Sequence, residues 1–184
     1  MFDGKSFAFS HGFTVSDEIL TAIGCAVICQ SHTENQLSLL ISDLLDIDQH
    51  KGYALTSGMS FKNLCASLSS LILQVVEEND ARYVRFKELL GKLQQFEEFR
   101  NQVAHSNWAH GKDFDSARAL RIKVTARQGK GVKHYLEEVE ISRISKAIKA
   151  AMQAQVELVI FISALAGKPI QTIDLTDSNT APST

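Results

Sequence analysis

The chain has 184 residues, 45% of them hydrophobic and 22% charged, with a net charge of −2. That is the composition of a soluble globular protein with enough length to bury one core, and it carries no overall attraction to nucleic acid. No apolar run approaches the roughly 18 residues of a membrane span, and Met1-Phe2-Asp3-Gly4-Lys5 lacks the basic-then-apolar order of a secretory signal.

Residues 1–14 scatter Phe2, Phe7, Phe9 and Phe13 among Gly, Ser and His, which reads as an arm packed on the body. Thr14-Val15-Ser16-Asp17 resembles a capping box opening a long helix to about Asp48. Its stripe is Ile19, Ile23, Val27, Gln30, Glu34, Leu37, Ile41 and Leu44, at steps of three and four. Gln30 and Glu34 interrupt an apolar seam, so both are expected to be hydrogen-bonded to something buried, with Arg100 the partner expected for Glu34. Cys25, Cys29 and His32 share a face of the same helix, but one helix rarely closes a tetrahedral metal site, and small thiols in a helix interface are the expectation. Three cysteines within helical patterns fit reduced thiols in a cytoplasm.

Residues 48–58 read as a linker. Ser57 or Ser60 then caps a second helix to about Glu78, striped by Phe61, Leu64, Cys65, Leu68, Leu71, Ile72 and Val75. Asp80 is placed to cap a third helix, which runs through Gly91. A mid-helix glycine there predicts a close helix approach or a bend. The stripe of this helix is Phe86, Leu90, Leu93, Phe96, Arg100 and Val103, so Arg100 continues a core-facing line. Asn101 and His105 share a neighbouring face, and Trp108 follows. A charged group so placed needs a partner or meets something that binds.

Beyond Trp108, Ala109 to Asp113 read as a loop. Leu120, Ile122 and Val124 then alternate with Arg121, Lys123 and Thr125, and after the turn signal Gln128-Gly129-Lys130-Gly131 a second alternating run reaches Ile141. The expectation is a β-hairpin over 118–141, with Arg121 and Lys123 facing Glu138 and Glu140 across the strands. Between Arg118 and Lys149 there are nine Lys and Arg against three Glu, a local net charge of +6. Arg127, Lys130 and Lys133 at the tip have no acids beside them and are candidate contacts for a phosphate backbone. A final helix runs from Ser142 to Ala166, closed by Gly167 and Pro169. Residues 171–184 read as a disordered tail. There is no Gly-x-Gly-x-x-Gly or Walker-type stretch, and no cofactor or metal is implied. Nothing places Glu34, Asp46 or Asp48 as a carboxylate pair across a cleft, and no nucleophile elbow is present.

Arg100-Asn101-x-x-x-His105 resembles the Arg-x(4–6)-His motif of HEPN domains, and His105-x-x-Trp108 resembles a common ending in bacterial members. The resemblance spans roughly residues 15–165 in helix order, and its specific part is the six-residue motif. It implies a small all-α bundle, and with the pattern above the reading is one domain over 1–170, mainly α: an up-and-down bundle of four main helices with the hairpin between the third and fourth. It also implies a metal-independent endoribonuclease, a toxin or defence effector, working as a homodimer on RNA, with an antitoxin or other protein as a further partner. Arg100 would bind phosphate, His105 would transfer protons, and Asn101, Glu34 and Trp108 would support them. The alternative within the family is a non-catalytic module binding a protein or nucleotide in the same cleft. On spacing alone, Arg100 can equally pair with Glu34, Glu97 or Glu98, and His105 can close the helix C-terminus, where a cation suits the dipole.

Overall fold

In the computed structural model, residues 15–109, 115–127 and 131–167 are described. They form α1 (Asp17–Leu45), α2 (Gln49–Thr56), α3 (Phe61–Ile72), α4 (Ala81–Ala104), β1 (Asn107–Ala109), β2 (Arg118–Arg127), β3 (Gly131–Glu140) and α5 (Ile141–Ala166). The fold is mainly helical, with a small antiparallel sheet between α4 and α5. The N-terminal arm and the C-terminal tail expected from the sequence lie outside the described residues.

α1 is 29 residues long and packs against α2, α3, α4 and α5. Its N-cap is Ser16, whose hydroxyl accepts from the Ile19 N–H at 3.3 Å, two positions later than the capping box suggests. Asp17 and Glu18 in the first turn suit the positive end of the helix dipole. The buried side is not the predicted stripe throughout. Ala22, Ala26, Cys29 and Thr33 are buried while Val27 is 40% exposed, because small residues let α5 and α4 approach closely. The hydroxyls that this buries are satisfied within the helix: Thr33, Ser38 and Ser42 donate to the carbonyls of Cys29, Glu34 and Ser38.

The expected linker at 48–58 contains a helix. Asp48 caps α2 by accepting from the His50 N–H at 2.8 Å, and Gly52 lies so close to Ser42 that any Cβ would collide with it. Glycine, normally a helix breaker, is here the residue that lets α2 lie on α1. α3 begins at the Ser60 cap as predicted but stops at Ile72, not Glu78. Turns over 73–76 leave Val75, a residue of the expected stripe, exposed and bury Val76 in its place. Asp80 caps α4 as expected. Gly91 supports neither tight packing nor contact: a Cβ there meets nothing within 4 Å, and the same is true of Gly24 in α1.

The hairpin forms as predicted and gains a third strand. Asn107, Trp108 and Ala109 pair with Ile122, Arg121 and Leu120, in an order β1-β2-β3. Three residues are too few to show an alternating pattern, so Ala109 reads as loop from sequence. The β2–β3 register also differs from the expected pairing of Arg121 and Lys123 with Glu138 and Glu140. Arg121 lies opposite Glu137, Lys123 opposite Tyr135 and Arg118 opposite Glu140. The reason is burial: Ala119 and Val139, opposite each other and each 2% exposed, are the pair the body receives. Glu137 bonds both Arg121 and Arg143, and Arg143 stands over the Phe99 ring, tying sheet, α5 and α4 together.

β3 passes into α5 without a connecting loop: Glu140 ends the strand and is the helix N-cap, and the Ile141 N–H donates to the Ala117 carbonyl at 2.9 Å. Gly167 closes α5 in the left-handed region, as predicted. By length and composition alone, α5 is long and apolar enough to cross a membrane, with a mean hydropathy of 1.5 over an 18-residue window. Its Ile144, Ala151, Ala154, Leu158 and Ile162 are buried in the bundle.

Two outcomes follow. Gly24→Ala and Gly91→Ala, singly, should each raise stability by about 0.5–1 kcal/mol, seen as a higher urea midpoint; a loss at either would mean that the site is crowded. Second, the Glu137 carboxyl is held below the usual range, first by Arg143 and then by Arg121. Its contribution is therefore complete above the unfolded pKa and lost as pH falls through the lower folded value. Glu137→Gln should cost about 1 kcal/mol at about pH 7, with the gap closing as pH falls through the lowered folded value. A gap that persists in acid would sink this assignment.

Candidate functional site

The last turns of α4 carry the motif. Phe86, Leu90, Leu93, Phe96 and Val103 are buried, and Arg100 stands on the same line with 18% of its side chain exposed. The helix phase that buries the neighbours thus carries a guanidinium into the seam between α4 and α1. Its facing group is Glu34, as the sequence suggests, at 3.9 Å between Nη2 and Oε1. That is an ion pair without a hydrogen bond, and the Glu34 side chain is 40% exposed. Arg100 Nε is buried with no partner.

Gln30, 2% exposed, donates its amide to Glu34 Oε1 at 3.2 Å, so both polar interruptions of the α1 stripe meet in this seam. Gln30 Oε1 is buried and unpartnered. A donor and an acceptor are therefore left unfilled in one polar seam. Each such group costs about 1–3 kcal/mol when buried, an expense that packing alone does not explain. One turn along α1, Gln155 of α5 donates to Thr33 Oγ1 and, at 3.5 Å, to the Cys29 carbonyl. This partner of Gln155 is not legible in the sequence, because a hydroxyl bonded to its own helix gives no separate signal.

His105 is the C-cap of α4, with φ −107° and its N–H bonded to the Asn101 carbonyl at 3.1 Å. Its ring is exposed and makes no hydrogen bond among the described residues. Five residues separate it from Arg100, roughly 140° around a helix. Arg100 therefore faces inward and His105 outward. Asn101 does not hold His105: its amide donates to Glu97 Oε1 at 2.8 Å, because Glu97 lies one turn back on the same helical face. Glu97, not Glu98, is thus the acid the motif uses, and it serves Asn101 and not Arg100.

Trp108 is half-buried, donates its indole N–H to the Val103 carbonyl at 2.9 Å and packs against both apolar clusters. It fills one of the orphan carbonyls at the end of α4 and seats β1 beneath the motif. Beside it Arg121 reaches Gln102 Oε1 at 3.5 Å. Of the tip residues, Lys133 is exposed, whereas the side chains of Arg127 and Lys130 lie outside the described residues. Cys29 and Cys65 are buried, the Cys65 thiol pushed up to about 12 by burial and by Glu97, so neither is a nucleophile. Among the described residues no three His, Cys, Asp or Glu side chains converge to hold a metal ion.

Arg100 is a poor structural ion in this geometry, because its carboxylate is distant and one donor is unfilled. Arg100→Met, which keeps the stem and removes the charge, should leave the melting temperature unchanged or raised. A destabilisation of about 3 kcal/mol or more would instead identify the guanidinium as a structural ion pair.

Compared with known proteins, the chain matches no family model, no curated protein and no solved structure.

Proposed function

We propose that the protein is a metal-independent endoribonuclease of HEPN type, a toxin or defence effector in a cytoplasm, cutting RNA at a cleft between two copies of the chain. The observation that carries this reading is Arg100: a largely buried guanidinium with an unfilled donor, one and a half turns from an exposed histidine whose ring is unbonded among the described residues.

The chemistry needs few parts. The ribose 2′-oxygen attacks phosphorus, the new P–O2′ bond forms as the P–O5′ bond breaks, and a 2′,3′-cyclic phosphate remains. One imidazole takes the 2′ proton and another gives a proton to the leaving 5′-oxygen; imidazole suits both tasks near neutral pH. The guanidinium offers two parallel donors to the phosphate, each charge-assisted bond being worth about 1.5–3 kcal/mol. One chain supplies one such histidine, and it faces away from Arg100. A second copy supplies the other histidine and can set each ring opposite its partner's arginine. Glu34 holds Arg100 weakly enough for a phosphate to replace it.

A second reading, a non-catalytic module binding a protein or nucleotide through the same residues, is favoured by Asn101. It is bonded to Glu97 and does not orient His105.

End-labelled RNA incubated with the protein in EDTA separates the two. Cleavage with cyclic-phosphate ends, reduced about 100-fold or more in Arg100→Ala and in His105→Ala, is the expected result. Equal cutting by all three proteins, or none by the wild type across several RNAs, would favour the binding module.

A further inference from the structure

Among the described residues, the hairpin is buried only at its base. Ala119 and Val139 are 2% exposed where β2 and β3 meet the body, while Tyr135 is 53% exposed farther out. Tyr135 and its neighbours Val124 and Leu136 therefore stand clear of the bundle. The register sorts its side chains by face. Ala119 and Val139 lie on the face turned to the body; next on that face come Arg121 and Glu137, beside Trp108, and then Lys123 and Tyr135. Lys133 follows Tyr135 by two residues and shares the face.

Lys123, Tyr135 and Lys133 are all exposed. Glu137 is the only acid at the register positions of this face, and its charge is taken up by Arg121 and Arg143. Among the described residues, an aromatic ring so placed, between two lysines and clear of the core, has no ring or hydrogen-bond partner. At its inner end the same face reaches the motif, because Arg121 bonds Gln102 and Trp108 bonds Val103.

We propose that this face of the β2–β3 ribbon is a track for single-stranded RNA, Tyr135 stacking one base and Lys123 and Lys133 holding the flanking phosphates. Cross-strand neighbours lie about 5 Å apart and successive same-face residues about 6.8 Å, so ring and ammonium groups meet adjacent nucleotides of an extended strand. Flat, sequence-tolerant stacking beside fixed positive charge is how single strands are held without reading their bases. A duplex, its bases already stacked, offers the ring nothing. The inference rests on RNA being what the protein handles, but not on whether the protein cuts it.

The test is anisotropy of a fluorescein-labelled oligouridine with the full chain in a His105→Ala background, so that binding is read without cutting. Tyr135→Ala should weaken binding roughly ten-fold or more, and Tyr135→Phe should keep it, since the ring is what stacks. Lys123→Gln with Lys133→Gln should flatten the dependence of log affinity on log salt by about 1.4. Unchanged affinity in Tyr135→Ala, an unchanged salt slope in the double variant, or a duplex bound as tightly as the single strand would each overturn the track. The two readings fail separately. Binding through Tyr135 without any cleavage by the His105 protein would sink only the nuclease, and Arg100-dependent cleavage untouched by Tyr135→Ala would sink only the track.

Discussion

The demand placed on α1 governs this molecule. A helix of 29 residues, roughly 43 Å long, touches every other helix of the bundle. No single apolar stripe can serve so many neighbours at different angles. The helix therefore buries small and hydroxyl-bearing residues, and bonds the hydroxyls to its own carbonyls so that they need nothing from outside. Two buried or half-buried polar residues are left over, Gln30 and Glu34. The bundle gathers them opposite Arg100.

That gathering has a physical reading independent of any family. Folded chains satisfy nearly all their buried polar atoms, and exceptions collect where something else is meant to bind. Here Gln30 Oε1 and Arg100 Nε are unfilled, and the nearest opposite charge stands at 3.9 Å. The far end of α4 shows the contrary pattern. Trp108 fills an orphan carbonyl there and Asn101 is bonded to Glu97, so the backbone around His105 is fixed while its ring stays open. A rigid frame with a few unfilled groups is the arrangement that substrate binding requires.

Much of this was legible in the sequence, for definite reasons. Arg100 announced itself because apolar periodicity on both sides fixes its phase, and Glu34 because it breaks a stripe in the same way. Caps at Ser60 and Asp80 and the stop at Gly167 rest on local chemistry that tertiary contacts rarely override. The failures are tertiary. Gly52 reads as a breaker until Ser42 is seen pressed against it, and Val27 reads as core until the narrow Ala22–Ala26–Cys29 face replaces it. The hairpin register was missed because Glu137, Glu138 and Glu140 are equally good partners for a basic strand; only the burial of Ala119 against Val139 chooses among them. Asn101 went to Glu97 because both sit on one helical face, a competitor that the motif itself conceals.

The junction of β3 and α5 has a mechanical consequence. With Glu140 serving as both last strand residue and helix cap, no loop absorbs rotation between ribbon and helix, and Arg143 clamps the joint from the helix side through Glu137. Ribbon and α5 therefore turn as one lever, with the fulcrum at Ile141 against Ala117. A rotation of the ribbon about that point would turn α5 with it, and Gln155 would carry the turn to Thr33 and the Cys29 carbonyl of α1.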